Sequence, residues 1–177
     1  MSNATGKILV YPDPALRTKA EDIKKVDGRV ITLAENMATI MYEAPGIGLA
    51  APQLGVSEKL IVVDVEHPKG DKDLITLVNP QILDMEGTVV EEEGCLSLPG
   101  LTEPVSRAQR CIVRGYDLNQ RERTIEAEGL LAIVLQHEID HLHGILFIDR
   151  LSSLKRGIIQ RKIRKMMQDT SSQWYRE

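Results

Sequence analysis

Residues 128–142 (EGLLAIVLQHEIDHL) form the most informative stretch of the 177-residue chain. The apolar positions within it are Leu130, Leu131, Ile133, Val134, Leu135, Ile139 and Leu142. A helix built from this stretch has almost no polar face, and a helix that is hydrophobic nearly all round is a buried one. The segment therefore predicts a central helix around which the rest of the chain must fold.

The same segment contains two histidines and two acids in the order His137-Glu138-Ile139-Asp140-His141. Residues four apart on a helix differ by about 40° in direction and about 6 Å in height, so both imidazoles can bind one metal ion. Glu138 projects beside that ion and can transfer protons, as in the H-E-x-x-H arrangement. Polar residues on a helix surface are the alternative interpretation, but a buried helix must give such groups partners.

A catalytic metal usually has three protein ligands and one open position. His143 lies about 200° round the helix from His141 and cannot share its ion. Phe147 stands where a metzincin would need a histidine, and the only glutamate after Glu138 is the last residue of the chain. The third ligand must therefore come from upstream, and Cys95 in residues 93–99 (EGCLSLP) is the best candidate.

The remaining segments predict two more helices and several short strands. Apolar spacing predicts an amphipathic helix over residues 26–43 and a C-terminal helix that starts at residue 152 and ends between residues 168 and 170. Runs rich in β-branched residues predict strands at 59–65, 74–78, 88–90, 111–116 and 121–127, the last two as a hairpin. Helix, then strands, then helices indicates the α+β class.

We therefore expect a single compact domain over residues 1–177, with a flexible tail at residues 1–5. It should consist mainly of antiparallel sheets around the buried metal-binding helix, with helices near the N-terminus and the C-terminus.

Composition excludes several functions. The net charge is −4, with one Trp, four Tyr and one Phe, so neither a nucleic-acid binder nor a base-stacking platform is indicated. No stretch approaches the roughly 18 apolar residues of a membrane span, and the start of the chain lacks a secretory signal. Cys95 and Cys111 make no disulfide framework, and Cys111 is interpreted as a small buried residue within a strand. We expect a cytoplasmic protein that binds neither DNA nor a membrane.

A third segment, residues 46–53 (GIGLAAPQ), has small residues that permit close approach of the backbone to a ligand. Together with residues 93–99 and 136–141 (QHEIDH), it resembles the three signature motifs of the peptide deformylases. The likeness extends to residues 11–17 (YPDPALR) and 129–133 (GLLAI), and the chain looks like the bacterial form that ends in a C-terminal helix.

The resemblance implies a role for each motif residue. Cys95, His137 and His141 would bind one divalent metal ion, Fe²⁺ in the cell, with Zn²⁺, Ni²⁺ or Co²⁺ as substitutes on purification and water as fourth ligand. Glu138 would be general base and then general acid. Gln53 and the backbone N–H of Leu96 would stabilise the oxyanion. The substrate would be the N-formylmethionyl end of nascent peptides, with formate as a product.

The resemblance also maps the substrate pocket. The methionine side chain would contact Ile47, Glu93, Leu130, Ile133, Val134 and His137. Gly46, Gly48 and Gly94 would wall a cramped site that admits a formyl group and excludes bulkier acyl groups.

Alternatives stay open for several of these residues. Leu130, Ile133 and Val134 fit a plain hydrophobic core, and Glu93 ends a run of three glutamates that is typical of a solvated face. Arg107 is a candidate partner for an acid near the site. Thr102 stands where some bacterial members carry an arginine near the substrate chain, which leaves the preference beyond methionine open.

The C-terminal helix has a charge pattern of its own. Six basic residues and no acid fall within residues 152–168, while the rest of the chain holds 16 basic and all 26 acidic residues. The helix could simply dock on the domain through Leu154, Ile158 and Ile163. Because family members use this helix at the tunnel exit, we also hypothesise that it binds the ribosome surface near that exit through RNA phosphates.

Two rival functions share part of this pattern. A metallopeptidase of the H-E-x-x-H type would need a different third ligand. A structural zinc protein would need a closed site with four ligands, whereas the chain offers three convincing ligands and a glutamate placed for catalysis.

Overall fold

The computed structural model describes residues 6–70 and 73–169, so the tail expected at residues 1–5 and the last expected helical position, residue 170, lie outside it. The α-helices of the described residues are α1 (Gly28–Glu43), α2 (Gly129–Leu142) and α3 (Ser153–Gln168). Their strands are β1 (Gly48–Ala50), β2 (Leu60–Val63), β3 (Ile75–Glu86), β4 (Val89–Gly94), β5 (Thr102–Arg107), β6 (Arg110–Tyr116) and β7 (Glu122–Glu128).

Two antiparallel sheets surround α2, which confirms the α+β class. The larger sheet has the strand order β1-β2-β3-β6-β7, and β4 and β5 form a separate hairpin. Alternate residues of β2 face different layers: Ile61 and Val63 belong to the core under α2, and Leu60 and Val62 to the core under α1. All four residues of β2 are therefore buried, which explains a continuous apolar run where a one-sided strand would alternate.

The bounds of the predicted helices lie within two residues of the observed ones, but several strands differ. The strand expected at 74–78 continues to Glu86, because its polar second half pairs with β6 at the open end of the sheet. The strand expected at 88–90 runs on to Gly94, and β1 and β5 were not predicted. The β5 strand contains Pro104 and charged residues, so its sequence does not resemble that of a strand. Such residues are tolerated there because β5 pairs with a neighbour on one edge only.

The C-terminal helix docks through a different face from the one expected. Ile163 is buried as predicted, but Leu154 and Ile158 are exposed and Ile159 takes their place in the core. Ile159 and Ile163 are four residues apart and share the helix face that contacts the domain, whereas Leu154 and Ile158 lie on a different face.

In the described part of the chain, no helix is both long and apolar enough to cross a membrane.

The C-terminus of α2 is fixed by a left-handed glycine. Gly144 has φ +69°, its N–H donates to His141 O (3.1 Å), and the next N–H, of Ile145, donates to Asp140 O (3.0 Å). This is a Schellman cap, which satisfies the last carbonyls of the helix. A Cβ at Gly144 would lie 2.5 Å from Arg17 O, so the cap also brings α2 against the N-terminal segment.

We predict that Gly144→Ala destabilises the protein more than Gly100→Ala. Both glycines have φ +69°, which costs an alanine about 1–2 kcal/mol, but Gly100 has open space where Gly144 meets backbone. The collision should add about 1–3 kcal/mol to the loss at Gly144. Urea unfolding of the two variants measures the difference directly, and equal losses would contradict the close approach to Arg17.

Candidate metal centre

The three predicted ligands converge. Cys95 Sγ lies 3.3 Å from His141 Nε2, which lies 3.2 Å from His137 Nε2. The three potential ligand atoms are all within 4.8 Å of one another. Metal–nitrogen and metal–sulfur bonds of about 2.0 and 2.3 Å set ligand atoms of a tetrahedral site about 3.3–3.6 Å apart. The donor atoms and their spacing therefore fit a divalent metal ion.

Glu93 orients the first of the two histidines. Its Oε2 lies 2.9 Å from His137 Nδ1, and its carboxylate also accepts from Arg107 Nε (2.6 Å) and Nη2 (2.9 Å). Burial raises the pKa of Glu93, but Arg107 and His137 together lower it to about 2. An ionised carboxylate only accepts, so His137 must donate through Nδ1 and present Nε2 to the ion.

Arg107 also reaches the acid that precedes the second ligand. Its Nη1 lies 2.5 Å from Asp140 Oδ2, and Asp140 is paired a second time with Arg150 at 2.5 and 2.6 Å. We call Glu93, Arg107, Asp140 and Arg150 the buried ion-pair network, in which the first three residues are buried and Arg150 lies exposed at the edge. It confirms the expected pairing of Arg107 and shows that Glu93 does not belong to a solvated face.

The electrostatics around the ligands favour a cation. Burial opposes charge on His137, but hydrogen bonds to Cys95 and Glu93 raise its pKa well above the usual value. The anionic groups thus stabilise positive charge at this place. Burial and the neighbouring His137 lower the pKa of His141, which keeps this imidazole in the neutral form that binds metals.

Glu138 is packed against β1 with one oxygen unused. Among the described residues, its Oε2 is one of two buried side-chain polar atoms without a partner, the other being His141 Nδ1. A Cβ at Gly48 would lie 2.4 Å from Glu138 Oε1, so glycine permits this contact. Burial raises the pKa of Glu138 to about 7, which suits a group that takes up and returns protons near neutral pH.

Gln53 provides a fixed donor next to the ligand sulfur. Its Oε1 accepts from Ala50 N (2.8 Å), which turns Nε2 towards Ser97 Oγ (3.2 Å) and Cys95 Sγ (3.7 Å). Gln53 is almost wholly buried in the short 3₁₀ helix that follows β1. The side-chain amide therefore has a single orientation.

A cavity of about 530 Å³ opens beside these groups. It is lined by every residue that the sequence assigned to the site except His141: Gly46, Ile47, Gly48, Gln53, Glu93, Gly94, Cys95, Leu96, Leu130, Ile133, Val134, His137 and Glu138. Leu130 is half exposed at the cavity and is not a core residue, whereas Ile133 and Val134 are buried. A second cavity, of about 240 Å³ between β3, β6 and β7, shares no lining residue with the first.

Sequence reasoning missed some residues around the site. Ser97 is buried in the same short motif as Cys95 and contacts Gln53, and the loop of residues 98–101 lines the cavity together with Thr102, which the sequence had placed near the substrate chain. Asp140 lies within the H-E-x-x-H motif, but its role could not be predicted from the sequence. Arg150 carries no sequence signal, because its pairing with Asp140 depends on the turn that follows α2.

Three ligands, an adjacent buried carboxyl group and an open cavity define the site of a metal-dependent hydrolase with an H-E-x-x-H helix. The comparisons place that site within one family. The model of the family described as polypeptide deformylase matches residues 5–157. The chain belongs to the polypeptide deformylase family.

Individual relatives agree over nearly the whole chain. The peptide deformylase of Thermodesulfovibrio yellowstonii is 52% identical over 158 residues, which are 89% of this chain and 96% of the relative. That of Syntrophobacter fumaroxidans is 48% identical over 93% of this chain and 97% of the relative. A crystal structure of a peptide deformylase from Legionella pneumophila superposes with TM-score 0.85 and 45% identity, covering 92% and 95% of the two chains.

We predict that Glu93→Gln weakens metal binding, because an amide cannot hold the His137 imidazole as an ionised carboxylate does. The loss should be roughly 10–100-fold. Glu91→Gln, on the same strand but exposed, is the matched control and should bind like the wild type. Competition with a chromophoric chelator for Zn²⁺ measures both affinities, and equal affinities would rule out the positioning of His137 by Glu93.

Proposed function

We propose that this chain removes the formyl group from the N-terminal formylmethionine of nascent polypeptides and releases formate and a free amino terminus. The observation that carries the proposal is the convergence of Cys95, His137 and His141 beside Glu138, in a chain of the polypeptide deformylase family. Because nascent chains are the substrate, the proposed place of action is the cytoplasm.

The three ligands would hold one divalent ion, and we propose Fe²⁺ as the ion used in the cell. Thiolate and imidazole donors also suit Zn²⁺, Ni²⁺ and Co²⁺, so these ions should substitute for it in the purified protein. When bound, such an ion supplies Lewis acidity, which polarises a carbonyl oxygen and makes water acidic enough to attack near neutral pH.

Glu138 is the proposed proton carrier. Its free Oε2 accepts a proton from the attacking water and returns it to the nitrogen of the departing amine. Burial holds the pKa of the carboxyl group near 7, and a neighbouring cation would lower it again. Both forms of the group are therefore accessible within one turnover.

Gln53 Nε2 and the backbone N–H of Leu96 are the proposed donors to the oxygen that gains charge as the water attacks. Fixed donors at such an oxygen are worth about 3–4 kcal/mol each in other hydrolases. The hydrogen bond that Gln53 receives from Ala50 N supports this role, since it fixes the amide before substrate arrives.

The methionine side chain is proposed to lie against Ile47, Leu130, Ile133 and Val134, because an apolar wall suits a thioether. Glu93 was mapped to the same pocket, but its two oxygens are occupied by Arg107 and His137, which favours a role through His137.

Three glycines are proposed to keep the reaction chamber narrow enough to admit a formyl group. A Cβ would collide with Glu138 at Gly48 and with the end of Leu96 at Gly46, whereas at Gly94 it would make an ordinary contact with Thr102 (3.4 Å).

We predict that Glu138→Gln keeps the metal and loses turnover by roughly 10²–10⁴-fold, because the amide cannot carry the proton. Formate release from a formyl-Met tripeptide measures activity, and elemental analysis measures bound metal. Cys95→Ala is the contrasting variant and should lose the metal itself.

Other results would favour the rival functions. Cleavage of internal peptide bonds without formate release would indicate a metallopeptidase. Unchanged properties in Glu138→Gln would indicate a structural zinc site.

We further propose that α3 binds the ribosome surface near the exit tunnel. Arg161, Lys162, Arg164 and Lys165 are exposed on this helix, while Ile159 and Ile163 hold it to the domain. A basic helix gains affinity for RNA by releasing counterions from phosphates. Deletion of residues 152–177 would also remove Ile159 and Ile163 from the core, so charge reversal is the cleaner test.

We predict that the double variant Lys162→Glu, Lys165→Glu co-sediments with ribosomes at low salt on the order of 10-fold less strongly than the wild type. Formate release from a free tripeptide should not change. Arg121→Glu with Arg123→Glu, two exposed positions on or beside β7, is the control with the same change of charge. Equal co-sedimentation of both double variants would refute a specific contact through α3.

A further inference from the structure

Asp64 is a wholly buried carboxylate that neutral groups hold in place. Its Oδ2 accepts from Tyr42 Oη (2.7 Å), and its Oδ1 accepts from the N–H groups of Glu66 (3.1 Å) and His67 (2.9 Å). The described residues provide it with no salt bridge. Burial raises the pKa of Asp64, but these hydrogen bonds bring it below the usual value, so the group is ionised at neutral pH.

Burying a carboxylate is expensive unless hydrogen bonds compensate it, so the partners that hold Asp64 among the described residues carry weight in the fold. Turn formation at residues 64–67 does not require the hydrogen bond from Tyr42, which comes from the last turn of α1. The hydrogen bond from Tyr42 thus joins the end of α1 to the end of β2.

The segment between α1 and β1 is attached to Asp64 near both of its ends. Asp64 follows β2 directly, and its backbone N–H donates to Ile47 O (2.9 Å), next to the pair that Gly48 forms with Val63. Tyr42 lies just before the same segment. Residues 44–47 are thus tied at both ends to Asp64, through its side chain at one end and its backbone at the other.

This segment and the start of β1 form a cavity wall that packs closely against Glu138 and Leu96. Ile47 lines the cavity, and Gly48 lies so close to Glu138 that a Cβ would be 2.4 Å from Oε1. On the other side, a Cβ at Gly46 would be 2.8 Å from Leu96 Cδ1. Movement of this segment would therefore alter both the wall and its packing against the Glu138 carboxyl group.

We propose that Tyr42 and Asp64 are positioning residues that fix Ile47 and Gly48 against Glu138 and so set substrate binding and turnover. Neither lines the cavity, and both act through the segment they hold. The proposal rests on the proposed deformylase function for its kinetic consequence, but its structural part stands independently of it.

The test uses Tyr42→Phe, which removes one hydroxyl group, and Asp64→Asn, which reverses one hydrogen bond. Tyr116→Phe, at an exposed position on β6, is the matched control. We expect kcat/KM for a formyl-Met tripeptide to fall about 10-fold in the first two variants, through both KM and kcat, because small misplacements of reacting groups are costly. Bound metal should stay at the wild-type level, and the control should keep wild-type kinetics.

Hydrogen exchange separates positioning from plain stabilisation. We expect amides of residues 46–50 to exchange faster in Tyr42→Phe, while amides of α2 keep their protection. Wild-type kinetics in Tyr42→Phe together with unchanged exchange at residues 46–50 would overturn the proposal. So would a loss of protection spread evenly over the molecule, since that indicates stabilisation alone. If the wild type released no formate, the proposed function would fail, and the exchange experiment would still decide the positioning.

Discussion

The burial of α2 is the constraint on which the rest of the structure depends. Five of the six consecutive residues 136–141 of this buried helix have polar side chains, and each must find a partner. Gln136 exchanges two hydrogen bonds with the backbone of Ala108. His137 and Asp140 are satisfied by the buried ion-pair network. Among the described residues, the buried side-chain polar atoms without a partner are Glu138 Oε2 and His141 Nδ1. Glu138 Oε2 is the atom proposed to carry the proton, so the carboxylate oxygen that the packing of α2 leaves unpaired is the one that the reaction needs.

Charge balance also favours a divalent cation at the three ligands. The buried ion-pair network contains two carboxylates and two guanidinium groups and is neutral by itself. A coordinating thiol loses its proton, so Cys95 adds one negative charge beside the histidines, and ionised Glu138 adds another. A divalent cation compensates both. The pairing of the network therefore leaves the charge at the ligands available to the metal, and a buried acid such as Glu93 can fix an imidazole without competing for the ion.

The sequence predicted what depends on local spacing. His137 and His141 are one helical turn apart, and Cys95 followed from the lack of any other ligand, so the metal site was accessible before the structure. The sequence indicated Arg107 only as a partner for an unspecified acid and did not indicate that Glu93 orients His137. The pairing of Glu93 with Arg107 joins β4 to β5, and β5 itself was not predicted because it contains a proline and charged residues. The docking face of α3 and the contact of Tyr42 with Asp64 are likewise tertiary, with no periodic pattern to announce them.

Ion pairs and hydrophobic packing join the two parts of the chain that supply the ligands. Cys95 lies directly after β4, in the loop that connects β4 to β5, while both histidines belong to α2. Arg107 bridges the two parts through Glu93 and Asp140. The hydrophobic cluster that contains Leu98, Leu101 and Phe147 also joins the β4–β5 loop to the segment that follows α2. A bound ion would add stability that rises with the logarithm of its concentration relative to its Kd. The contacts between protein groups act in the same direction, because they too hold together the ends of the long loop between Cys95 and α2. These contacts between protein groups therefore support the geometry that Glu138 and Gln53 require.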